Sequence, residues 1–437
     1  MKLWETGEEE IGENVESFLA TDTESEEELF FYDLLGNIAH VEMLHKQGYI
    51  SDKELEELHG ALLDLRGEAV EITAEDEDVH TKVEEIVTSE TEAGKKMHTG
   101  RSRNDQVLLD TRLYLKEGLI KTALPVLELA ETLKDKGGEE IMPGYTHMRQ
   151  AMPTTTDVWL GSFAESLLDD LEQLKTAYKL VDQNPLGAAA GYGTTLDIDR
   201  EKTMELLGFS EVQENPLHCI NSRGKFELTV LQSLTQVMLD LSTLANDLIL
   251  FSTEEFGYVE IPEKYCTGSS IMPQKQNPDV LEMVKGKASK VLSKQSQVQQ
   301  ILLDSNSGYN RETQMTKKPV MEALETVQET VEVLSGLLSG IEFDERQMQE
   351  KMKEEIFAAY TANQKVEEGI PFREAYKDVK DEQEYMEPSE EEIVSKSAGK
   401  VETNPMKKWW TQKDKEWKSA VSGLLELAEK NTSSMDE

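Results

Sequence analysis

The chain has 437 residues, and its 45 Lys and Arg residues are outnumbered by 87 Asp and Glu residues, which gives a formal net charge of −42. This charge repels nucleic acids and anionic membrane surfaces, so we expect neither as a partner. The chain has 2 cysteines, too few for a disulfide framework or a cysteine-rich metal site, and no motif indicates a metal or another cofactor.

The beginning of the chain, MKLWETGEEE, is acidic, whereas a signal peptide begins with basic residues and continues with an apolar stretch. An uninterrupted apolar run of about 18 residues is also lacking, so no segment is expected to span a membrane. These features favour a cytoplasmic protein.

Acidic residues are dispersed along the chain in short runs, such as Glu8–Glu10 and Glu26–Glu28, rather than collected in one tail. This distribution favours a surface that stays soluble at high salt. At 1 M salt the Debye length shrinks to about 3 Å, which screens the repulsion between carboxylates. We therefore expect the surface of a halophile, although the plentiful lysines are atypical of one.

Helical periodicity dominates the chain, and the alternation of polar and apolar residues typical of strands is nearly absent. We predict an all-α fold of three helical domains, at residues 1–97, 98–345 and 346–437, with a bundle of long helices in the second. Shorter helices are expected before residue 97. Trp409, Trp410 and Trp417 are expected to anchor the small C-terminal domain.

Five long helices are predicted in the central domain. The first runs from Asp105 to Lys136 and is expected to bend or break at Pro125, because proline cannot donate the hydrogen bond of an interior helical turn. Apolar residues at steps of three and four define the other four, each about three heptads long. These apolar seams begin at Leu160, Leu231, Val284 and Val320 and end at Tyr178, Leu248, Leu302 and Leu338.

The central helices also carry apolar residues away from these seams, among them Phe163, Val230 and Val237. Either the five helices form a self-contained bundle, or this surplus is buried against other subunits. We favour an oligomer. An aspartate at Leu241 should then disrupt both assembly and activity, because a buried, unpaired carboxylate is costly.

A polar segment, KMHTGRSRND at residues 96–105, lies immediately before a predicted long helix. The N-terminal N–H groups and the positive dipole of a helix favour anions. We interpret the segment as an anion-binding site; the alternative is an ordinary helix cap at Asn104 or Asp105 with the arginines in solvent. The polar side chains concerned are Arg101, Ser102, Arg103, Asn104 and Asp105.

Two histidines lie in short polar turns. Thr146 and His147 follow Pro143 and Gly144 and precede a predicted helix, where a histidine can donate a proton near neutral pH. His80 lies in a second, acidic turn. A single histidine is more often a plain hydrogen-bonding residue, so neither position is decisive by itself.

A loop between two predicted helices, GSSIMPQKQNP at residues 268–278, combines several chemical functions. Its Gly and Ser residues favour mobility. Lys275 supplies a cation, Asn277 a neutral donor, and the loop amides a cradle for an oxyanion. A plain connecting loop requires none of these groups.

These segments together resemble the fumarase/aspartase superfamily of lyases. The loop at 268–278 matches the superfamily signature GSSxMPxKxNP in full, a signature shared by fumarases, aspartases, adenylosuccinate lyases and argininosuccinate lyases. Residues 98–107, HTGRSRNDQV, resemble the argininosuccinate lyase branch in particular. Similarity to that branch continues at residues 146–147, 184–187, 309–317 and 369–374, so it covers nearly the whole chain.

The resemblance implies the reversible β-elimination of argininosuccinate to L-arginine and fumarate, a step of arginine biosynthesis. A base removes a proton from the carbon beside a carboxylate, which takes up the charge, and the carbon–nitrogen bond then breaks. The resemblance also implies a homotetramer in which the central helices of four subunits form a twenty-helix core. Each active site would draw on three subunits.

Individual roles follow from the same resemblance. Ser269 is the base, and because a hydroxyl is a weak base it must be activated by nearby positive charge and N–H donors. Lys275 and Asn277 stabilise the dianionic intermediate. His147, oriented by Glu282, is the general acid, directly or through Thr146 or a water. The residues expected to bind substrate are Ser102, Arg103, Asn104, Asn277, Tyr309, Gln314, Lys317, His80 and Thr21.

Two positions depart from the branch. Thr21 stands where the branch has a serine, and Arg223 lies one position away from an arginine on the substrate side, so Arg223 is left unassigned. The rival interpretations are an adenylosuccinate-type lyase and a catalytically silent, crystallin-like structural homologue. Residues 98–107 argue against the first rival, and the retained catalytic residues argue against the second.

Overall fold

The structure is a computed structural model that describes residue 18 and residues 23–68, 70–73, 76, 78–395 and 401–433. Thr21, a predicted substrate contact, lies outside these residues. The first helix has 24 residues, as many as α10, so the expectation of shorter helices before residue 97 holds only for the next three, and α1 packs against the two that follow it. These helices are α1 Thr23–Lys46, α2 Asp52–Asp64, α3 Val79–Glu90 and α4 Gly94–Met97.

The five predicted long helices are all present. Pro125 lies inside the first of them, and that helix runs on without interruption to Lys136, so it is not broken there. The long helices and the short ones between them are α5 Arg103–Lys136, α6 Thr156–Val181, α7 Arg200–Leu206, α8 Pro216–Asn221, α9 Lys225–Phe251, α10 Asp279–Leu302 and α11 Lys317–Gly340.

Short two-stranded ribbons connect the helices. The longest is an antiparallel hairpin of β1 Ile141–Thr146 and β2 Arg149–Thr155, which leads directly into α6. The remaining strands have two residues each and are β3 Gln183–Asn184, β4 Glu211–Val212, β5 Val259–Glu260, β6 Thr267–Gly268, β7 Gln276–Asn277 and β8 Glu342–Phe343. Turns of 3-10 helix lie at Glu263–Tyr265, Arg311–Thr316 and Glu354–Phe357.

Successive long helices run in opposite directions, and α9 packs against α6, α10 and α11. A Cβ added at Gly224, just before α9, would lie 2.5 Å from Leu302 Cδ2 at the end of α10. At the opposite end, a Cβ added at Gly340 would lie 2.8 Å from Pro262 Cγ, beyond the end of α9. We call these the Gly224 end and the Phe251 end of the bundle. They are about 36 Å apart, because a helix rises about 1.5 Å per residue and α10 has 24 residues.

Two of the three apolar residues named away from the seams are buried inside their own chain, whereas Phe163 is half-buried. Val230 and Val237 have no exposed surface, and Leu241 is only 1% exposed. The expectation that Val230 and Val237 face other subunits was therefore wrong, because these side chains lie on the part of α9 that is buried within the chain. For the same reason Leu241 is not a probe of assembly, since a charge there would disrupt the subunit itself.

One helix of the described part, α9, is long and apolar enough to cross a membrane by length and composition alone. Half of the 18-residue window that meets this criterion is buried inside the chain. That half packs against α6, α10 and α11, which is the position of a core helix in the bundle.

The chain after α11 packs in two places. The first part lies against the β1–β2 hairpin, whereas the last helix returns along α2 and α5. Trp410 of this last helix is fully buried against Tyr178, and Trp417 packs on Tyr32 of α1. We propose domain boundaries near residues 97 and 345, with the last helix packed on the first two domains. These C-terminal helices are α12 Glu345–Glu350, α13 Ala358–Glu367, α14 Phe372–Glu382, α15 Glu390–Ser395 and α16 Asn404–Thr432.

A pair of aspartates between α6 and α9 makes the stability of the bundle pH-dependent. Burial, followed by the Asp240 carboxylate, raises the pKa of Asp170 from 3.8 to about 8. The folded chain thus favours the protonated Asp170, and its stabilisation is lost as the pH rises from about 4 to about 8.

We predict that Asp170→Asn, which keeps the shape of the protonated acid, raises Tm at pH 8 by at least about 2 °C and has little effect at pH 4. Thermal melts across this pH range measure the difference. Asp169→Asn is the control, because Asp169 is exposed on the same helix. An equal gain from both substitutions would point to the net charge and not to the Asp170 pair.

Candidate active site

The polar segment before α5 forms a cap at Ser102. The Ser102 Oγ accepts a hydrogen bond from Asn104 N at 3.3 Å, and the Asp105 carboxylate accepts one from Ser102 N at 2.8 Å. The same carboxylate accepts N–H bonds from Gly187 and Ala189. The cap therefore begins at Ser102, and Asp105 ties the start of α5 to the loop after β3.

The two arginines of this segment do not lie free in solvent, contrary to the simpler interpretation. Arg101 is buried and donates from Nη2 to Asn37 Oδ1 at 2.6 Å and to the Met97 carbonyl at 3.0 Å. Arg103 donates from Nη1 to both carboxylate oxygens of Asp78, each at 2.8 Å. Both guanidinium groups thus have defined orientations beside the N-terminus of α5.

His80 lies buried between two aspartates. Its Nδ1 is 2.8 Å from Asp33 Oδ1 and 3.5 Å from Asp110 Oδ2. Burial by itself lowers the pKa of His80, but the two carboxylates raise it to about 9, so the ring is an imidazolium at neutral pH. Burial, then Asp33, raises the pKa of Asp110 well above its usual range.

By spacing alone, Asp33, His80 and Asp110 could also hold a metal ion, because their donor atoms lie within 4.8 Å of one another. A metal would need the same His80 Nδ1 that already faces Asp33. The ion pair of His80 with the two aspartates therefore explains why these donor atoms lie close together. Through Asn37, the same cluster helps to hold Arg101 of the neighbouring segment at residues 101–105.

Three more predicted substrate contacts lie at the start of α11 and in the turn before it. Lys317 is buried at the start of α11 and donates to Glu26 of α1. Gln314 donates to the Tyr309 hydroxyl at 3.4 Å, and its Oε1 accepts from Arg223 Nη2 at 2.5 Å. Arg223 lines a cavity of about 320 Å³ together with Lys225.

Arg223 is buried, and burial lowers its pKa. Its Nη1 has no hydrogen-bond partner among the described residues. The predicted site residues at the Gly224 end of the bundle are therefore accompanied by a buried cation that the sequence left unassigned. These predicted residues are His80, Ser102, Arg103, Asn104, Tyr309, Gln314 and Lys317.

Thr146 and His147 lie at the tip of the β1–β2 hairpin, as the Pro/Gly-bounded turn suggested. His147 and Met148 form a two-residue turn with φ values of 52° and 58°. Such a turn normally takes Asn-Gly or similar residues, because side chains are strained at positive φ. This strained turn places an exposed histidine at the end of the ribbon.

The signature loop lies between β6 and β7 and leads into α10. Ser269 Oγ accepts hydrogen bonds from Ile271 N at 3.3 Å and from Met272 N at 3.1 Å. Lys275 is exposed, Asn277 is half-buried, and Glu282 is exposed in the first turn of α10. Within the described residues, no hydrogen bond joins His147 to Glu282.

The predicted site residues therefore fall into two groups within one chain. The binding residues named above lie at the Gly224 end, whereas the hairpin tip and the signature loop lie at the Phe251 end. Tyr145 of the hairpin and Tyr258 after α9 share a hydrogen bond of 2.8 Å, which fixes the hairpin at that end. About 36 Å of helix separates the groups, far more than a small substrate can bridge.

Comparisons with known proteins agree with the resemblance seen in the sequence. A family described as "Lyase" matches residues 21–293. An argininosuccinate lyase of Thermotoga neapolitana is 41% identical over 387 residues, which cover 86% of this chain and 96% of that protein. The argininosuccinate lyase of Sorangium cellulosum is 40% identical, with 87% and 90% covered. The chain belongs to the argininosuccinate lyase family.

Solved structures show that this family member has the expected mostly helical fold. An EDDS lyase variant with bound fumarate superposes with a TM-score of 0.80 at 20% identity and covers 96% of each chain. A class II fumarase from Schistosoma mansoni gives a TM-score of 0.72 at 16% identity, covering 86% of this chain and 94% of that one. At such identities the likeness concerns the fold alone.

Several polar residues of the site region were missed by the sequence analysis. Asp33 and Asn37 of α1 are buried and join His80 and Arg101 in one network, with Asn37 donating to Asp33 at 2.8 Å. A signal was available, because two polar residues four apart interrupt the apolar face of α1. Buried polar residues on an otherwise apolar helix face require partners, which here come from α3 and from the segment before α5.

Proposed function

We propose that the protein cleaves argininosuccinate reversibly into L-arginine and fumarate, the arginine-forming step of arginine biosynthesis. Membership of the family supports this, since its relatives carry the name argininosuccinate lyase. The observation that carries the proposal is the signature loop, in which Ser269 Oγ already accepts two backbone N–H bonds. Such donors favour the ionised form of a hydroxyl, which a serine base requires.

In the proposed reaction, Ser269 takes the proton from the carbon beside a succinyl carboxylate. The electron pair left behind delocalises into that carboxylate, and Lys275 and Asn277 stabilise the added negative charge. The carbon–nitrogen bond then breaks while the departing guanidino nitrogen receives a proton. His147, oriented by Glu282, supplies this proton directly or through Thr146 or a water.

The Gly224-end residues are proposed to hold the substrate. Ser102, Arg103 and Asn104 lie at the N-terminus of α5, where helix N–H groups and the dipole favour carboxylates. Tyr309, Gln314 and Lys317 are proposed to bind the arginine half, and His80 supplies fixed positive charge nearby. Local cations are needed here because the net charge of −42 opposes the approach of an anionic substrate.

The surfaces of the central helices support a homotetramer. On α9, the exposed residues after Lys225 carry no charge, whereas the exposed face of α11 is acidic. In a chain with 30% charged residues, an uncharged exposed stripe indicates a surface that is covered. The stripe consists of Gln232, Gln236, Leu239, Thr243 and Asn246, and the acidic face of α11 includes Glu325, Glu329 and Glu332.

A groove along α10 supports the same proposal. Its volume is about 770 Å³, and its lining contains no charged side chain. Ser289, Ser293 and Ser296 contribute to this lining at helical spacing, and such small side chains let another helix approach closely. We propose that subunits associate through α9 and α10, so that the two groups of site residues meet across subunits.

We predict that Leu239→Asp prevents assembly of the tetramer while leaving the subunit folded. Leu239 is 45% exposed in the chain, so the charge can remain in water until subunits associate. Light scattering and circular dichroism measure the two properties. Val333→Asp is the control, because Val333 is 41% exposed on the acidic face of α11. Equal dissociation by both variants would contradict the assignment of the interface.

Fumarate absorbance tests the proposed activity. We expect fumarate to appear when the purified protein is mixed with argininosuccinate and not when it is mixed with adenylosuccinate. Release from adenylosuccinate alone would favour the sister lyase, and no release from either would favour a silent structural homologue.

Salt dependence remains a prediction from charge. At 0.01 M salt the Debye length is about 30 Å. Electrostatic repulsion therefore opposes the close packing of subunits that each carry a net charge of −42. We expect molar KCl to raise both the tetramer fraction and Tm, with dissociation preceding unfolding at low salt. Sedimentation velocity and thermal melts between about 0.05 and 3 M KCl test this. Equal stability across the range would leave the acidic surface without a halophilic role.

A further inference from the structure

We propose that Gln150 is a positioning residue that holds the Thr146–His147 tip of the hairpin against the chain that follows α12. This inference rests on the proposed function, in which His147 protonates the departing nitrogen. The hairpin tip is exposed and strained, so its placement depends on what holds the strands just below it.

The Gln150 side chain connects the hairpin to a separate segment through two hydrogen bonds. Its Nε2 donates to the Lys351 carbonyl at 2.7 Å, and its Oε1 accepts from Lys353 N at 3.0 Å. Both polar atoms of the side chain are thereby used on backbone groups of one short segment. A paired amide of this kind fixes both distance and orientation, as a neighbouring strand would.

The opposite strand is anchored on the same face. Tyr145 is the cross-strand partner of Gln150, and directly opposed residues of a ribbon project to the same side. The Tyr145 hydroxyl bonds Tyr258 at 2.8 Å, and its ring packs on Phe251 and Phe256. One face of the hairpin is thus held by the end of α9 and by the 351–353 segment together.

The next cross-strand pair, Thr146 with Arg149, projects to the other face and is exposed. The anchored pair of Tyr145 and Gln150 is therefore directly next to the exposed pair of Thr146 and Arg149. The tip of the hairpin lies immediately beyond this exposed pair. Lys351 also donates from Nζ to the Glu255 carbonyl, which joins the segment to the loop after α9. Loss of the Gln150 bonds would leave Tyr145 as the hydrogen-bonded side chain of the rung next to the tip, with the rest of the hairpin still packed on the chain after α11.

The geometry predicts an effect on protonation more than on binding, because the predicted binding residues lie at the other end of the bundle. Gln150→Met keeps the length of the side chain and removes both hydrogen bonds. We expect kcat to fall about 10-fold or more, since small displacements of a reacting group have effects of this size. KM, Tm and the tetramer fraction should change little.

A double-mutant cycle with His147→Asn tests whether Gln150 acts through His147. If it does, Gln150→Met lowers kcat in the wild-type background and causes no further loss in the His147→Asn background. The control is Gln412→Met, the same substitution at an exposed residue of α16, where it removes a 3.0 Å bond to Glu416. This control should retain the wild-type kcat.

Equal losses of kcat in both backgrounds would overturn the inference, because Gln150 would then act independently of His147. Wild-type kcat in Gln150→Met would overturn it as well, and so would an equal loss of kcat in Gln412→Met. In each of these cases the wild-type protein still releases fumarate, so the proposed function stands. A wild-type protein that releases no fumarate from argininosuccinate would overturn both.

Discussion

Ser269→Ala should reduce kcat by about 10²–10⁴-fold, the usual consequence of removing a general base. The side chain lies in a loop with exposed neighbours and, among the residues that the structure describes, bonds only the Ile271 and Met272 N–H groups. Its removal should therefore leave Tm, the tetramer and substrate binding almost unchanged. Initial rates of fumarate formation and calorimetric binding of argininosuccinate measure these quantities separately.

Ser270→Ala is the matched control, because Ser270 is an exposed serine of the same loop with no role in the proposed mechanism. We expect it to retain most of the activity. A Ser269→Ala variant with near-normal kcat would remove Ser269 from the mechanism. Equal losses in both variants would instead indicate that the loop tolerates no change, whatever the role of the hydroxyl.

Activity should return when two inactive variants from opposite ends of the bundle are mixed and reassembled. Asn104→Asp places a carboxylate where a substrate carboxylate is proposed to bind, and Asp is well tolerated near the N-terminus of a helix. Ser269→Ala disables the base. If each site takes Asn104 and Ser269 from different subunits, random reassembly leaves about a quarter of the sites with both residues intact.

Ser269→Ala mixed with Lys275→Ala is the matched control. Both residues lie in one loop, so every site receives one defective loop or the other, and no activity should return. The measurement is the rate of fumarate formation after subunits dissociate and reassociate. Failure of the Asn104→Asp and Ser269→Ala pair to recover would mean that one subunit supplies both residues, contrary to the separation of the two bundle ends.

Local sequence patterns predicted much of the fold because they act over short distances. The apolar seams starting at Leu160 and Leu231 marked helices correctly, since a repeat of three and four residues buries one helix face. The Pro/Gly-bounded turn located the tip that carries His147. Pro125 was expected to bend or break α5, and the break does not occur, because the helix continues through the proline to Lys136.

Patterns that depend on distant partners were not predictable. Val230 was expected at a subunit contact and is buried in its own chain, because the number of helices surrounding α9 is a property of the folded bundle. The partners of His80 come from α1 and α5, which are 47 and 30 residues away in sequence at Asp33 and Asp110. Only folding determines that these carboxylates surround it.

By itself, the sequence determined the helices, the signature loop with Ser269 and Lys275, and the family to which the chain belongs. These depend on residue type and spacing, which the chain carries locally. The tertiary structure decided that Arg101 and Arg103 are held by carboxamide and carboxylate partners, and that Gln150 joins the hairpin to the segment after α12. It also decided that the two groups of site residues lie at opposite ends of the bundle, because α10 runs antiparallel to α5 and α11, so that the first residues of these helices lie a helix length apart.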